Sequence, residues 1–200
     1  WAGASVSGVG LAQVGVTWNK TLWAQATARG VWWDEGSQRE GWLRLGGQHG
    51  AFGGELLTAT GTATDAWWLA GVRGFASFAP LTVGVDVVRT QYVEGVALQA
   101  GLDASIRLPH GMSASAGVST TRFSDQVGWS GQLGLSWSND VWTVAGLAAY
   151  GEEYRPVRWF EPTVWNLDVP IEYRAEASVS RALTPTLRLG AQLELLSVED

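Results

Sequence analysis

The chain has 200 residues, 13 Lys and Arg against 19 Asp and Glu, a formal net charge of −6, and no cysteine. The negative balance and the lack of any basic run argue against nucleic acid as a partner, and without cysteine there is no disulfide framework, thiol nucleophile or thiolate metal site. Hydrophobic residues are 46% of the chain, yet charged residues are only 16% and no apolar run reaches the roughly eighteen residues of a membrane helix.

Alternating apolar and polar residues predict twelve β-strands, near 4–18, 22–33, 41–48, 51–60, 66–78, 81–90, 95–108, 112–122, 128–138, 141–150, 171–182 and 186–197. Short turns recur about every thirty residues, at Asn19-Lys20, His49-Gly50, Ala79-Pro80, Pro109-His110 and Asn139-Asp140, with a later one at Leu183-Thr184-Pro185. Longer, more polar connections lie between them, at Asp34 to Glu40, Gly61 to Asp65, Arg89 to Glu94, Phe123 to Val127 and Gly151 to Pro170. In the seventh strand Val96, Leu98, Ala100, Leu102, Ala104 and Ile106 share one face, opposite Gln99, Asp103 and Arg107. The ninth (Leu133, Leu135 against Gln132), eleventh and twelfth (Leu189, Leu193 against Arg188, Gln192) alternate as cleanly. The tenth is apolar on both faces and gives no orientation.

Thirteen tryptophans punctuate this pattern. Trp18 and Trp23 flank one short turn, and Trp137 and Trp142 flank another. A second set, including Trp32 and Trp129, falls about ten residues further along the strands. Nine residues from Trp23 to Trp32, at roughly 3.3 Å each and a tilt of about 40°, climb on the order of 23 Å. That matches the apolar band of a membrane barrel, about 25 Å tall with an aromatic girdle at each edge. Trp18, Trp23, Trp32, Trp129, Trp137 and Trp142 are therefore expected at the membrane girdles. Indole suits that level because its ring is apolar while its N–H seeks the wet headgroup layer.

The two girdles, the Gly/Ala-rich alternating strands and turns such as Arg181-Ala182-Leu183-Thr184-Pro185 resemble the bacterial outer-membrane β-barrels over nearly the whole length. The resemblance implies an all-β, transmembrane, antiparallel up-and-down barrel of about twelve strands, one domain over 1–200, in the outer membrane of a diderm bacterium. With twelve strands both termini fall on the long-loop side, and the last strand ends Leu196-Ser197-Val198-Glu199-Asp200 without the usual terminal aromatic. Together with a start at Trp1, this predicts a processed chain or a fragment of a longer one, a strand count off by one, or an unusual polarity.

Polar-face residues should line the lumen. Their charges are Arg29, Arg44, Arg73, Arg107, Arg174 and Arg188 against Glu55, Asp86, Asp103, Glu172, Glu176 and Glu194. A selective constriction usually carries one sign, whereas six of each predict mutual pairing. Equal heights above the short turns predict the pairs Arg44–Glu55, Arg73–Asp86 and Arg174–Glu194. His49 and His110 sit in turns, and no serine on a strand has a base beside it, so no catalytic residue, metal or cofactor is expected. Glu152 and Glu153 read as solvated loop carboxylates.

The segment 151–170, at the barrel mouth, alternates aromatics with charges and carries prolines. Tyr154, Arg158, Trp159, Phe160 and Trp165 are its candidates for a constriction inside the mouth, a docking surface for a protein partner on the long-loop side, or a cover packed on the rim. The function expected is a porin-like channel for passive diffusion of small polar solutes through the lipid bilayer, with an accessory barrel that anchors a partner complex as the alternative. Neither is an enzyme.

Overall fold

The computed structural model describes residues 9–18, 21–33, 36–62, 66–154, 157–158, 163–164, 171–183 and 188–198, in part by backbone alone. Twelve strands form one antiparallel sheet: β1 (Val9–Trp18), β2 (Leu22–Trp33), β3 (Gly36–His49), β4 (Phe52–Thr62), β5 (Ala66–Phe78), β6 (Leu81–Gln91), β7 (Val96–Arg107), β8 (Met112–Phe123), β9 (Gln126–Ser138), β10 (Trp142–Glu153), β13 (Ile171–Ala182) and β14 (Arg188–Val198). Each pairs with its sequence neighbour in an unbroken ladder from β1 to β14. This is the up-and-down barrel order. A two-stranded ribbon, β11 (Val157–Arg158) with β12 (Thr163–Val164), interrupts the sequence between β10 and β13.

Several boundaries differ from the sequence reading, two of them at the start of β3 and between β8 and β9. β3 begins at Gly36, because Ser37-Gln38-Arg39-Glu40 pairs with β2 despite its polarity. Of these, Gln38 and Glu40 serve the concave face, where Glu40 is buried, and Ser37 and Arg39 are exposed. The connection expected from Phe123 to Val127 shrinks to a tight turn at Ser124-Asp125, with Phe123 opposite Gln126 and Ser124 at φ 55°.

The pleat places successive side chains on opposite faces. On the convex face Leu98, Leu102, Leu133, Leu135, Leu189 and Leu193 are all exposed, Leu133 and Leu189 by 67%. Their neighbours Asp103 and Gln132 turn inward to a cavity; the side chains of Arg188 and Gln192 lie outside the described residues. β10 acquires an orientation here. Trp142, Val144 and Tyr150 are exposed, and Ala149 is buried.

Two aromatic belts border the exposed aliphatic band. Trp18, Phe52, Phe78, Trp137 and Trp142 are exposed at the short-turn end. Trp68, Trp129, Tyr150 and Tyr173 are exposed at the other. The eight to ten residues between belts on β5, β9 and β10 span about 20–25 Å along the barrel axis. That is the height of the apolar band of a membrane barrel. Trp23 departs from the girdle expectation. It stands on the concave face, with the guanidinium of Arg44 4.7 Å from its ring centre. Sequence spacing measures height along a strand, whereas odd or even position decides the face, and Trp23 has the parity of Gln25 and Thr27. The side chain of Trp32 lies outside the described residues.

Inside, the half of the barrel nearer the long loops holds an apolar cluster. Trp42, Leu57, Trp67, Leu69, Val88 and Tyr92 are its main members, and Val157 from β11 packs among them. Trp42 and Trp67 meet edge to face, with ring centres 5.9 Å apart. Gly61, opposite Trp67 in the ladder, leaves the space that the indole occupies.

Because Leu133 lies between the belts on the convex face, Leu133→Arg should lower the stability of the barrel in phosphatidylcholine vesicles by about 2–4 kcal/mol. Gln132→Arg, one residue away on the concave face, should cost far less. Equilibrium urea titration of vesicle-inserted protein reads the difference, and equal effects would contradict the facing.

Candidate functional site

The concave face on the short-turn side encloses a cavity of about 550 Å³ bounded by residues of β3 to β10, β13 and Val157. Its wall is rich in hydroxyls that bond across the ladder. Ser77 and Thr82 lie 3.0 Å apart, Ser113 and Ser136 2.6 Å, and Ser119 and Ser130 2.9 Å. Each is a directly opposed cross-strand pair, the arrangement in which short polar side chains satisfy one another.

The charges of the wall are ordered into ion pairs. Arg44 donates from Nε and a terminal nitrogen to one oxygen of Glu55, at 3.2 and 2.7 Å. Arg29 lies 3.6 Å from Glu40, which also accepts from the Trp42 indole at 2.9 Å and from Gln38. Arg73 stands opposite Asp86 in the ladder, but it binds Asp103, one strand further on. One terminal nitrogen lies 2.8 and 2.7 Å from the two Asp103 oxygens. Gly84 on β6 explains the longer reach, since a Cβ there would meet both the guanidinium and the Asp103 carboxylate. Counting heights from the turn predicts the opposed partner and misses the gap that lets a long side chain pass over it.

On the other wall, Arg174 is buried, donates a hydrogen bond to Glu153 at 3.0 Å and stands in an ion pair with Glu176 at 3.2 Å. Glu153 in turn accepts from Ser130 at 2.6 Å. Arg174 does not stand level with Glu194. The register puts it opposite Leu196 and puts Glu194 opposite Glu176, because its centre lies one residue beyond the one assumed at Thr184, which moves each partner by two. The side chains of Glu194 and Arg188 lie outside the described residues. The sequence reads Glu153 as a solvated loop residue, yet β10 extends to it and only 5% of its surface is exposed. Glu172 moves the other way. The β13–β14 register slips between Ile171 and Tyr173, which buries Ile171 and leaves Glu172 exposed, out of line with Arg174 and Glu176. A bulge of this kind re-aims side chains that simple alternation would place together. Arg107 borders the cavity at its short-turn end and is exposed.

The start of the 151–170 segment turns into the barrel. The Tyr154 amide donates to Thr121 Oγ1 at 2.9 Å. The Gln99 carboxamide donates to the Val157 carbonyl at 3.0 Å and accepts from the Val157 amide at 2.8 Å. One side chain thus supplies both bonds that a neighbouring strand would give. Val157 is buried, at the boundary between the polar cavity and the apolar cluster. Sequence reasoning marks Gln99 only as a polar-face residue, and nothing in its neighbours signals this contact 58 positions away. Trp159, Phe160 and Trp165, and the side chain of Arg158, lie outside the described residues.

Both histidines are exposed at short turns, and among the described residues no group of His, Asp and Glu is arranged to hold a metal. The fold and its polar interior are similar to those of porin-like β-barrels of the outer-membrane type. Two solved structures, described as "KdgM porin" and "KdgM porin in complex with disordered oligogalacturonate", superpose with TM-scores of 0.54 and 0.55. In each case the identity is 9%, over 72% of this chain and 84% of the other. The likeness is one of fold. No protein-family model and no curated protein matches the sequence.

The Gly84 gap can be closed. Gly84→Ala should push the Arg73 guanidinium off Asp103 and cost up to about 3–5 kcal/mol, the scale of a buried pair broken from one side. Gly84→Ala combined with Arg73→Met should recover part of that loss in the same urea titration. A stability unchanged by Gly84→Ala would show that Arg73 needs no passage there.

Proposed function

We propose that the chain is an integral β-barrel of the outer membrane of a diderm bacterium, and that its interior is a restricted diffusion path for small polar solutes. The observation that carries this is the inversion of the two faces. The convex face is aliphatic between two aromatic belts, which fits a lipid bilayer as its surroundings. The concave face holds an unfilled, hydroxyl-rich and charged cavity, which fits water and polar solutes. A barrel that served only to anchor a partner would have no use for such a cavity. One solved structure of similar fold is a porin in complex with an oligogalacturonate, which supports solute passage through a fold of this kind. The chemistry is that of a passage, with selection by size and charge and no covalent step.

We place the constriction where Val157 meets Gln99. Above it the interior is apolar and packed, and below it polar and open. Of the three roles expected for the 151–170 segment, the Gln99 contact favours the constriction inside the mouth. Two hydrogen bonds at about 1 kcal/mol each hold Val157 in place.

Planar bilayer recording of the purified protein tests the reading. Steady, ohmic unitary currents are expected. Gln99→Ala should raise unitary conductance, because the segment then leaves the lumen for part of the time. Folded, inserted protein that carries no current would support the anchoring alternative instead.

A further inference from the structure

We infer that the passage prefers cations to anions, and that Asp86 is the residue that sets this preference. The inference rests on the channel reading above and adds to it the class of solute. The cavity is lined by five carboxylates and three guanidiniums among the described residues, so the even balance read from sequence does not hold where a solute would pass. Glu153, which β10 brings into the wall beside Arg174, takes the place of Glu172, which is exposed, while Arg29 and Arg44 stand outside the lining.

The guanidiniums are committed. Arg174 serves two carboxylates, Glu153 and Glu176. Arg73 is held by both oxygens of Asp103. Arg44, just beside the cavity, is bound to Glu55 and lies over the Trp23 ring. Arg107 is exposed at the short-turn mouth, where water and salt screen it. Asp86 differs from all of these. It borders the cavity halfway up β6, and among the described residues it makes no ion pair or hydrogen bond. Gly101, opposite Asp86 in the ladder, keeps this carboxylate accessible, since a Cβ there would lie 2.7 Å from its Oδ1.

Paired charges nearly cancel beyond a few ångströms, so the sign of the potential felt by a passing ion is that of the charge left over. A lone carboxylate on the wall of a narrow passage, bounded by low-dielectric protein and lipid, concentrates cations and repels anions. The solutes favoured are small hydrated cations and compounds with a protonated amine. Small neutral polyols meet no charge barrier. A polyuronate such as the one bound by the structural neighbour would meet Asp86 and Glu176 with every nearby guanidinium already engaged.

The test is the reversal potential of the reconstituted protein in a tenfold KCl gradient. The wild type should reverse towards the potassium equilibrium potential. Asp86→Asn keeps the shape and removes the charge, and should lower the potassium-to-chloride permeability ratio by roughly twofold or more. Asp86→Ser provides the same test should the amide variant fail to fold. Arg107→Gln should move the ratio in the opposite direction. Raising the salt from about 0.1 to 1 M shortens the screening length from about 10 to 3 Å and should bring the wild-type ratio towards unity. An anion-preferring wild type, or a ratio that both Asp86 variants leave unchanged, would overturn the inference while leaving the channel intact. Absence of current in the wild type would instead overturn the channel reading.

Discussion

The two-residue period of the β-pleat governs this molecule more than any single contact does. In the membrane proposed above, each strand would complete its backbone hydrogen bonds with the strands beside it, because lipid offers none. Once the ladder is set, every side chain is committed to one face or the other, and no local adjustment short of a bulge can change that. The aliphatic band, the aromatic belts, the ion-paired wall and the cavity are four consequences of one geometric rule applied along twelve strands. The rule also separates the energetics. Convex-face substitutions act through transfer into lipid, and concave-face substitutions through polar satisfaction.

Legibility in the sequence follows the same rule. β7, β9 and β14 alternate strictly, so the facing of Leu98, Leu133 and Leu189 can be read directly. That of β10 cannot, because Ala145, Leu147 and Ala149 line its concave face with small or apolar residues that resemble a lipid face. Spacing alone misplaces Trp23, because a tryptophan near a turn suits either face, and only its pairing with Gly46, which leaves room for the ring, marks it as internal. Trp67 and Trp68 show the ambiguity in a single step, with adjacent indoles on opposite sides of the wall.

The polar wall is partly visible in the sequence. Arg44 and Glu55 are close enough along the chain, across one tight turn, for height counting to pair them. Counting fails wherever the register carries an irregularity. The slip beside Glu172 removes one carboxylate from the wall, and the extension of β10 adds Glu153. The bond from Gln99 to Val157 joins segments remote in sequence, and no periodicity encodes it. Such contacts depend on the curvature of the sheet, which appears only after all the strands have been placed.

The apolar cluster occupies the interior of one sector alone. Its members come from β3 to β7, with Val157 laid against them, whereas the interior of β9, β10 and β13 is lined by serines, small residues and charges. In the proposed bilayer, the long-loop half of that sector is thus sandwiched between two apolar media, lipid outside and its own packed core inside, as in an ordinary sheet domain. The opposite sector has lipid on one side and water on the other. Slow amide exchange and rigidity belong to the first, and breathing motions of the wall to the second. The barrel is therefore mechanically lopsided, with a stiff half against which the other half can flex.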